Sequence, residues 1–357
     1  MKRTLKLLLA LIVMVGMTGA STVFAEQRSG WPETLRIALH GLHPQDSLRE
    51  QHPNWPETLR IGTASIGGTY VVYGDGLALL INEKLGIMTT PQGTGGPYHN
   101  FALVQGGHVE LGMTTLGPAK ESWNGRSPVL PGQQMRDVRA LFPMYRTPFQ
   151  VVALKRSGIS RIADLAGKRV GVGPTGGTCA GYWPRFFEAL DVDDVQVSYA
   201  NANELSTHLT HGFIDAFAFC AGVPIRAFQQ IAQRHEVNLF AFDESQQALL
   251  VEKFGVEPIV IPAGAYATQD TPQASVAFWN FGIAHKDLPE DLVYELMTLT
   301  LDHPELMEAI HPSAKEMRAE NLRHNHLVWF HPGAVRYYRE RGLTVPEELL
   351  PPELRDE

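Results

Sequence analysis

Two junctions in this chain share one construction. At LRIGTASIGGTY (59–70) and again at KRVGVGPTGGTC (168–179), a β-rich run passes through Gly-Gly-Thr into an apolar, helix-like stretch. Glycine lets the backbone approach a ligand closely, and Thr69 and Thr178 add hydroxyls. Unpaired N–H groups at a helix start, together with the helix dipole, favour a carboxylate or phosphate. Two such mouths in different halves of the chain predict a small acceptor group held between two lobes.

The N-terminus carries an address. Lys2, Arg3 and Lys6 precede an apolar run from Leu7 to Met17 that continues to Val23-Phe24-Ala25, the pattern of a secretory signal cleaved after Ala25. The run is too short to span a ~30 Å hydrocarbon core without strain. Removing residues 1–25 leaves 27 Lys+Arg against 38 Asp+Glu, a net charge of −11. That balance disfavours nucleic acid and anionic membrane surfaces as partners. The remaining chain of about 330 residues is long enough for two lobes with their own cores. Its two cysteines, Cys179 and Cys220, allow one disulfide at most, so the core must carry the fold.

WPETLRI occurs twice, at 31–37 and 55–61, and only the second copy runs into a glycine junction. The polar, proline-bearing segment between them holds His40, His43 and His52 without metal-ligand spacing. Residues 26–55 therefore read as an extended arm, with the fold proper beginning near Pro56.

From there strands alternate with helices. TYVVYGDGLALLINEKLG has apolar residues at helical spacing and ends at Gly86 as a helix C-cap would. IMTTPQG, VELGMTT and ALFPMY read as strands with a helix-like HNFALVQGG among them, a βαβ pattern that implies a mostly parallel sheet. PMYRTPFQVVAL (143–154) is a long extended run, as a crossing strand requires, and a second alternation follows it. A further extended, proline-bearing run at 261–278 would return the chain to the first lobe, and residues 287–310 read as helices broken at Pro304. Two crossings make a two-strand hinge able to close on a ligand. The expected division is residues 56–145 plus 265–357 for the first lobe and 146–264 for the second.

Other chemistries fit less well. Gly171, Gly173 and Gly176 match G-x-G-x-x-G, with Asp191, Asp193 and Asp194 at the distance of a ribose-binding acid, yet the equivalent first-lobe junction has no place in a dinucleotide site. No lysine follows the glycines as a P-loop needs, and G-x-S-x-G is missing. His324, His326 and His331 suit a packed loop as well as a metal. No cofactor, metal or catalytic group is expected. Cys179, at a helix start, is a reactive thiolate, a buried thiol or the partner of Cys220 across adjacent strand ends.

Taken in order, GTASIGGTY, TGGPYHNFALVQGGHVELGM, SGISRIADLAGKRVGVGPTGGT, HLTHGFIDAFAFCAGVP, IPAGAY, DLPEDLVYELM, HPSAKEM and HPGAVRYYRE resemble the TAXI family of solute receptors, the substrate-binding subunits of TRAP transporters. The resemblance spans roughly residues 57–340. It implies an α/β periplasmic binding protein of type II, two lobes joined by a two-strand hinge, located in the periplasm. Such a receptor is no enzyme: it closes on a small organic anion such as glutamate or a dicarboxylate and delivers it, as a monomer, to TRAP membrane permease subunits. An exported dehydratase or lyase on the same fold is the alternative.

Carried over by motif, the ligand lies against Ser65, Ile66, Gly67, Gly68, Thr69 and Tyr70, with Thr94 and Gly95 from the next loop. Thr175, Gly176, Gly177, Thr178 and the Cys220-Ala221-Gly222 turn face it from the second lobe. Tyr145 is a candidate pocket wall. Arg146, on the crossing strand, is either a clamp for a ligand carboxylate or an exposed hinge arginine.

Overall fold

The computed structural model describes residues 48–355. The leader, the first WPETLRI copy, His40 and His43 lie outside the described residues.

The packed body starts earlier than Pro56. Leu48–Gln51 form a short helix (α1), and His52 stacks on the buried Trp55 ring at 4.3 Å while its Nδ1 hydrogen-bonds Asp291 at 2.9 Å. The second WPETLRI copy continues as β1 (Thr58–Gly62), whose alternating pattern buries Leu59 and Ile61.

In the first lobe β1 lies between β2 (Met88–Gln92) and β3 (Leu111–Thr115), parallel to both. Three helices connect these strands and leave the sheet: α2 (Thr69–Leu85), α3 (Pro97–Gln105) and α4 (Leu116–Trp123). The left-handed Gly86 closes α2. Next comes β4 (Val138–Leu154), a continuous strand that absorbs ALFPMY and the crossing run into one element.

β4 belongs to both lobes. Its first part pairs antiparallel with β10 (Gln273–His285), and residues 149–154 pair with β7 (Ala216–Cys220) and β8 (Val237–Phe240). β7 is parallel to β5 (Arg169–Gly171), which is parallel to β6 (Gln196–Ser198). The strand order is β2-β1-β3-β10-β4-β7-β5-β6, with β9 (Glu257–Ile261) joined to the start of β10. The second lobe adds α5 (Thr178–Ala189), α6 (Ala202–Thr210), α7 (Arg226–Ala232) and α8 (Glu244–Phe254). Two α/β lobes linked by the crossing strands β4 and β10 are the arrangement of a type II periplasmic binding protein.

The return strand differs from its expected position. Residues 262–272 fold as turns, held by the Gly264 amide on the Gln269 carbonyl at 2.8 Å and by the Gln269 side-chain amide on Pro262 and Thr271 carbonyls. Crossing is therefore left to β10, which is almost wholly buried from Ser275 to Ala284. Beyond it run α9 (Glu290–Leu301), α10 (Pro304–Ile310) and α11 (Pro332–Glu340). Pro304 occupies the first turn of α10, where its missing N–H costs nothing.

Candidate ligand-binding site

Four helices start at the carboxyl ends of their strands and face one cleft between the lobes: α2, α3 and α4 from the first, α5 from the second. Gly68, Gly96, Thr115 and Gly177 are the respective N-caps, and no side chain caps any of the four. None carries an acidic residue in its first turn. By contrast α6 and α8 are closed by capping boxes built on Asn201 with Glu204 and Asp243 with Gln246. Without capping side chains the four ends direct positive potential at the cleft, while in α3 Pro97 has no N–H and the Tyr98 amide is taken by the Gly176 carbonyl.

The cleft holds about 450 Å³ of empty space, part of it open to solvent. Ser65, Thr69, Tyr70, Thr115, Tyr145, Thr147, Thr178 and Asn280 are among its lining residues, with apolar wall from Ala64, Phe219 and Ala221. No Asp, Glu, Lys, Arg or His is among the lining residues. Its floor comes from the hinge. Where the β4–β10 register shifts at Trp279–Phe281, Asn280 points its amide nitrogen at the Tyr145 carbonyl (2.5 Å) and Thr147 Oγ1 (2.6 Å), and its Oδ1 accepts from the Tyr70 hydroxyl at 2.6 Å. Tyr145 is fully buried, with the Thr69 side chain beside its hydroxyl. Burial drives the Tyr70 and Tyr145 phenols well above their ordinary range, so both stay protonated donors.

The lobes meet around this cleft. Thr115 and Thr178 share a hydroxyl hydrogen bond of 2.6 Å, Thr69 donates to the Gly222 carbonyl at 2.9 Å, and the Tyr98 amide donates to the Gly176 carbonyl at 3.0 Å. Outside the rim, Glu121 of α4 receives Arg185 of α5 at 2.6 and 3.2 Å, the Tyr182 hydroxyl at 3.1 Å and the Tyr98 hydroxyl at 2.5 Å. Desolvation pushes the Glu121 carboxyl up, but the Arg185 and Tyr98 hydrogen bonds outweigh it and hold the group below its ordinary value. Cys179 and Cys220 form a disulfide with their Cα atoms 5.5 Å apart, and both line the cleft. The alternatives of a reactive thiolate or two buried thiols therefore do not describe this structure.

Of the residues expected from sequence, Ser65, Gly68, Thr69, Tyr70, Gly95, Tyr145, Gly177, Thr178, Cys220 and Ala221 line the cleft. Others stand behind or beside it. Ile66 is 65% exposed, and Gly67 packs against Asn203. The Thr94 hydroxyl turns inward to the Thr63 carbonyl at 3.0 Å, and Gly176 lies against the His99 ring. Thr175 is not in the lining. Gly222 supplies its carbonyl to Thr69, and a Cβ there would fall 2.8 Å from the Tyr145 ring. Arg146 is absorbed by Glu316, with its guanidinium at 2.5 and 3.1 Å and its amide at 2.8 Å, so it reaches no ligand in the cleft. Sequence reasoning passed over Thr115, Thr147 and Asn280. Asn280 did leave a signal, a lone amide inside the apolar strand AFWNFGIA.

The sequence-flagged histidines lie elsewhere. His324 stacks on Trp279 at 4.3 Å and bonds Glu257 at 2.9 Å, in a separate groove that His326 also lines. His331 is buried and caps α11 through the Gly333 amide. Among the described residues no cluster of three or more His, Cys, Asp or Glu is arranged to hold a metal.

The model of the NMT1-like family matches residues 61–342, which run from the end of β1 through α11. The chain belongs to the NMT1-like family. Solved structures similar to this family member include the substrate-binding protein of an amino acid ABC transporter, at 14% identity and TM-score 0.43 over 73% of this chain and 98% of that one. The alkanesulfonate-binding protein SsuA from Xanthomonas axonopodis pv. citri, bound to MOPS, is 14% identical with TM-score 0.45 over 83% and 97%. An ABC uptake transporter substrate-binding protein from Streptococcus pneumoniae with bound histidine is 18% identical with TM-score 0.45 over 72% and 93%.

Proposed function

We propose that this chain is an exported solute-binding receptor that captures a small carboxylate between its lobes and hands it to a membrane transporter. The observation that carries the reading is the convergence of four uncapped helix N-termini on one uncharged cleft between lobes joined by two strands. An anion there gains amide donors and hydroxyls from both sides at once, which favours the closed form by differential affinity. The sequence resemblance to TAXI receptors adds the finer reading: a periplasmic, monomeric subunit of a TRAP transporter, with glutamate-like amino acids and dicarboxylates as the expected cargo. The candidate contacts are Ser65, Thr69, Tyr70, Tyr145 and Thr178 with the amides of Thr69 and Thr178 at the starts of α2 and α5.

A thermal-shift screen of ligand-stripped mature protein against C3–C6 carboxylates and acidic amino acids tests this. A compound that raises the melting temperature and is recovered chemically intact is the expected result, because a ligand binding only the folded state stabilises it by mass action. Turnover of the compound, or no shift with any carboxylate, would refute the receptor reading.

A further inference from the structure

We infer that Asn280 is a positioning residue that commits the Tyr70 proton, so that the cleft meets its cargo with a hydrogen-bond acceptor and reads a donor on it, an ammonium or hydroxyl group carried beside the carboxylate. The inference rests on the receptor reading above and deepens it.

The Asn280 amide has one possible orientation. Its nitrogen lies 2.5 Å from the Tyr145 carbonyl, and a carbonyl oxygen only accepts, so the amide cannot be turned the other way round. The same nitrogen donates to Thr147 Oγ1 at 2.6 Å. That leaves Oδ1 facing the Tyr70 hydroxyl at 2.6 Å, and because an amide oxygen only accepts, the Tyr70 proton points at Asn280. Asn280 is fully buried at the β4–β10 register shift, so the arrangement is held inside the hinge. Burial also keeps the Tyr70 phenol protonated. With its proton spent, Tyr70, a lining residue, offers a ligand only the lone pairs of its oxygen.

Thr69 repeats the pattern. Its hydroxyl gives its one proton to the Gly222 carbonyl at 2.9 Å, so Oγ1 accepts from anything else it meets. The Tyr145 hydroxyl beside it can therefore bond it only by donating. Thr147, by accepting from Asn280, is left able to donate. At the starts of α4 and α5 the polarity is reversed: Thr115 and Thr178 share one hydrogen bond of 2.6 Å, which leaves one of their two protons free for a carboxylate. A cargo with a carboxylate toward those helix starts and a donor toward Tyr70 and Thr69 satisfies both sides. No Asp or Glu lines the cleft, so these neutral oxygens are the side-chain acceptors that an ammonium or hydroxyl group meets there. A plain diacid is held by the helix starts as well, but it gains nothing from Tyr70.

Isothermal titration of the ligand-stripped mature chain with two matched series tests the inference: L-aspartate, L-malate and succinate, and L-glutamate, L-2-hydroxyglutarate and glutarate. In the series that binds, the amino or the hydroxy acid should bind about fivefold or more tightly than the plain diacid, the worth of one hydrogen bond. Whichever of the two leads identifies the donor as ammonium or hydroxyl. Tyr70→Phe should abolish the advantage and leave the affinity for the plain diacid unchanged. Asn280→Leu frees the Tyr70 proton to donate, so it should shrink the advantage by raising the diacid relative to the other two, which a merely structural loss would not do. A plain diacid that binds as tightly as its substituted partners, or an advantage that survives Tyr70→Phe, would overturn the inference and leave the receptor reading intact. Equal weakening of all three acids in Asn280→Leu would overturn the role of Asn280; should that variant not fold, Tyr70→Phe decides alone. If no acid of either series binds, the carboxylate reading falls and this inference with it.

Discussion

Gly96 has φ 114°, a backbone region open to glycine and strained for other residues, and any Cβ there would press on the Gly177 Cα across the interlobe seam. Gly96→Ala should cost on the order of 1–3 kcal/mol of stability. It should also weaken ligand binding by more than that loss implies, because the closed contact is obstructed directly. Urea unfolding and titration on the same sample check both; unchanged affinity would show that the seam opens to bind. A second residue-scale effect concerns two histidines. Burial lowers His311 to about 4, the Pro224 carbonyl opposing, and lowers His331 to about 4, the Arg139 charge adding to burial. Both folded values lie below the ordinary 6.5, so the unfolded chain binds more protons as pH falls. Their stability contribution is whole above about 6.5 and drains away toward about 4, on the order of 3 kcal/mol each. Urea midpoints at pH 7, 5.5 and 4.5 should fall steadily, and His331→Phe should flatten the slope; a flat profile in the parent would contradict the assignment. Little of this was legible in sequence, since burial of a histidine depends on what packs over it.

The junction of α5 and β7 is the element on which the second half of the site turns. The disulfide joins the second residue of α5 to the last residue of β7 across 41 residues, directly beneath the Ala221 contact. Replacing both cysteines by serine, or reducing the bond, should cost about 2–4 kcal/mol by releasing the unfolded chain. It should also loosen the 220–222 turn that receives Thr69. Melting with and without a thiol reductant measures the first effect; no change would mean that packing of Trp183, Phe186 and Phe149 already holds the junction. Helices α2, α9 and α10 were readable from periodicity, glycine and proline because those signals are local. The crossing strands were readable only in part. β4 read as a short strand at ALFPMY and a separate long extended run at 143–154, and β10 was expected some ten residues early, because an extended run and a chain of turns share the same composition until pairing with a distant partner separates them.

At the scale of the whole molecule, function depends on how the lobes close, and Glu121 is the chief polar link between them. Its ionised carboxylate binds Tyr98 on its own lobe and Tyr182 and Arg185 on the other. Hydrogen bonds to a charged group are worth roughly 1.5–3 kcal/mol each, so Glu121→Gln should raise the dissociation constant about tenfold or more. It should also raise the radius of gyration of the unliganded protein in small-angle scattering. With a folded pKa below the ordinary 4.5, the latch is complete above that pH and is lost as pH falls beneath it. A variant that binds and scatters as the parent does would remove Glu121 from closure. By itself the sequence determined the alternation of strands and helices, the hinge crossings in outline, the helix-end chemistry of Gly68-Thr69 and Gly177-Thr178, and the polar floor in the lone Asn280, though that signal was not used. All of these follow from local preference: φ freedom at glycine, hydroxyls at helix starts, and apolar periodicity. Tertiary structure alone decided that four helix ends share one locus, that Arg146 is spent on Glu316 rather than on a ligand, that Thr115 and Thr147 enter the lining, and that the cysteines are joined. These are distances between residues tens to hundreds of positions apart, and they exist only once both sheets have folded and the lobes have come together.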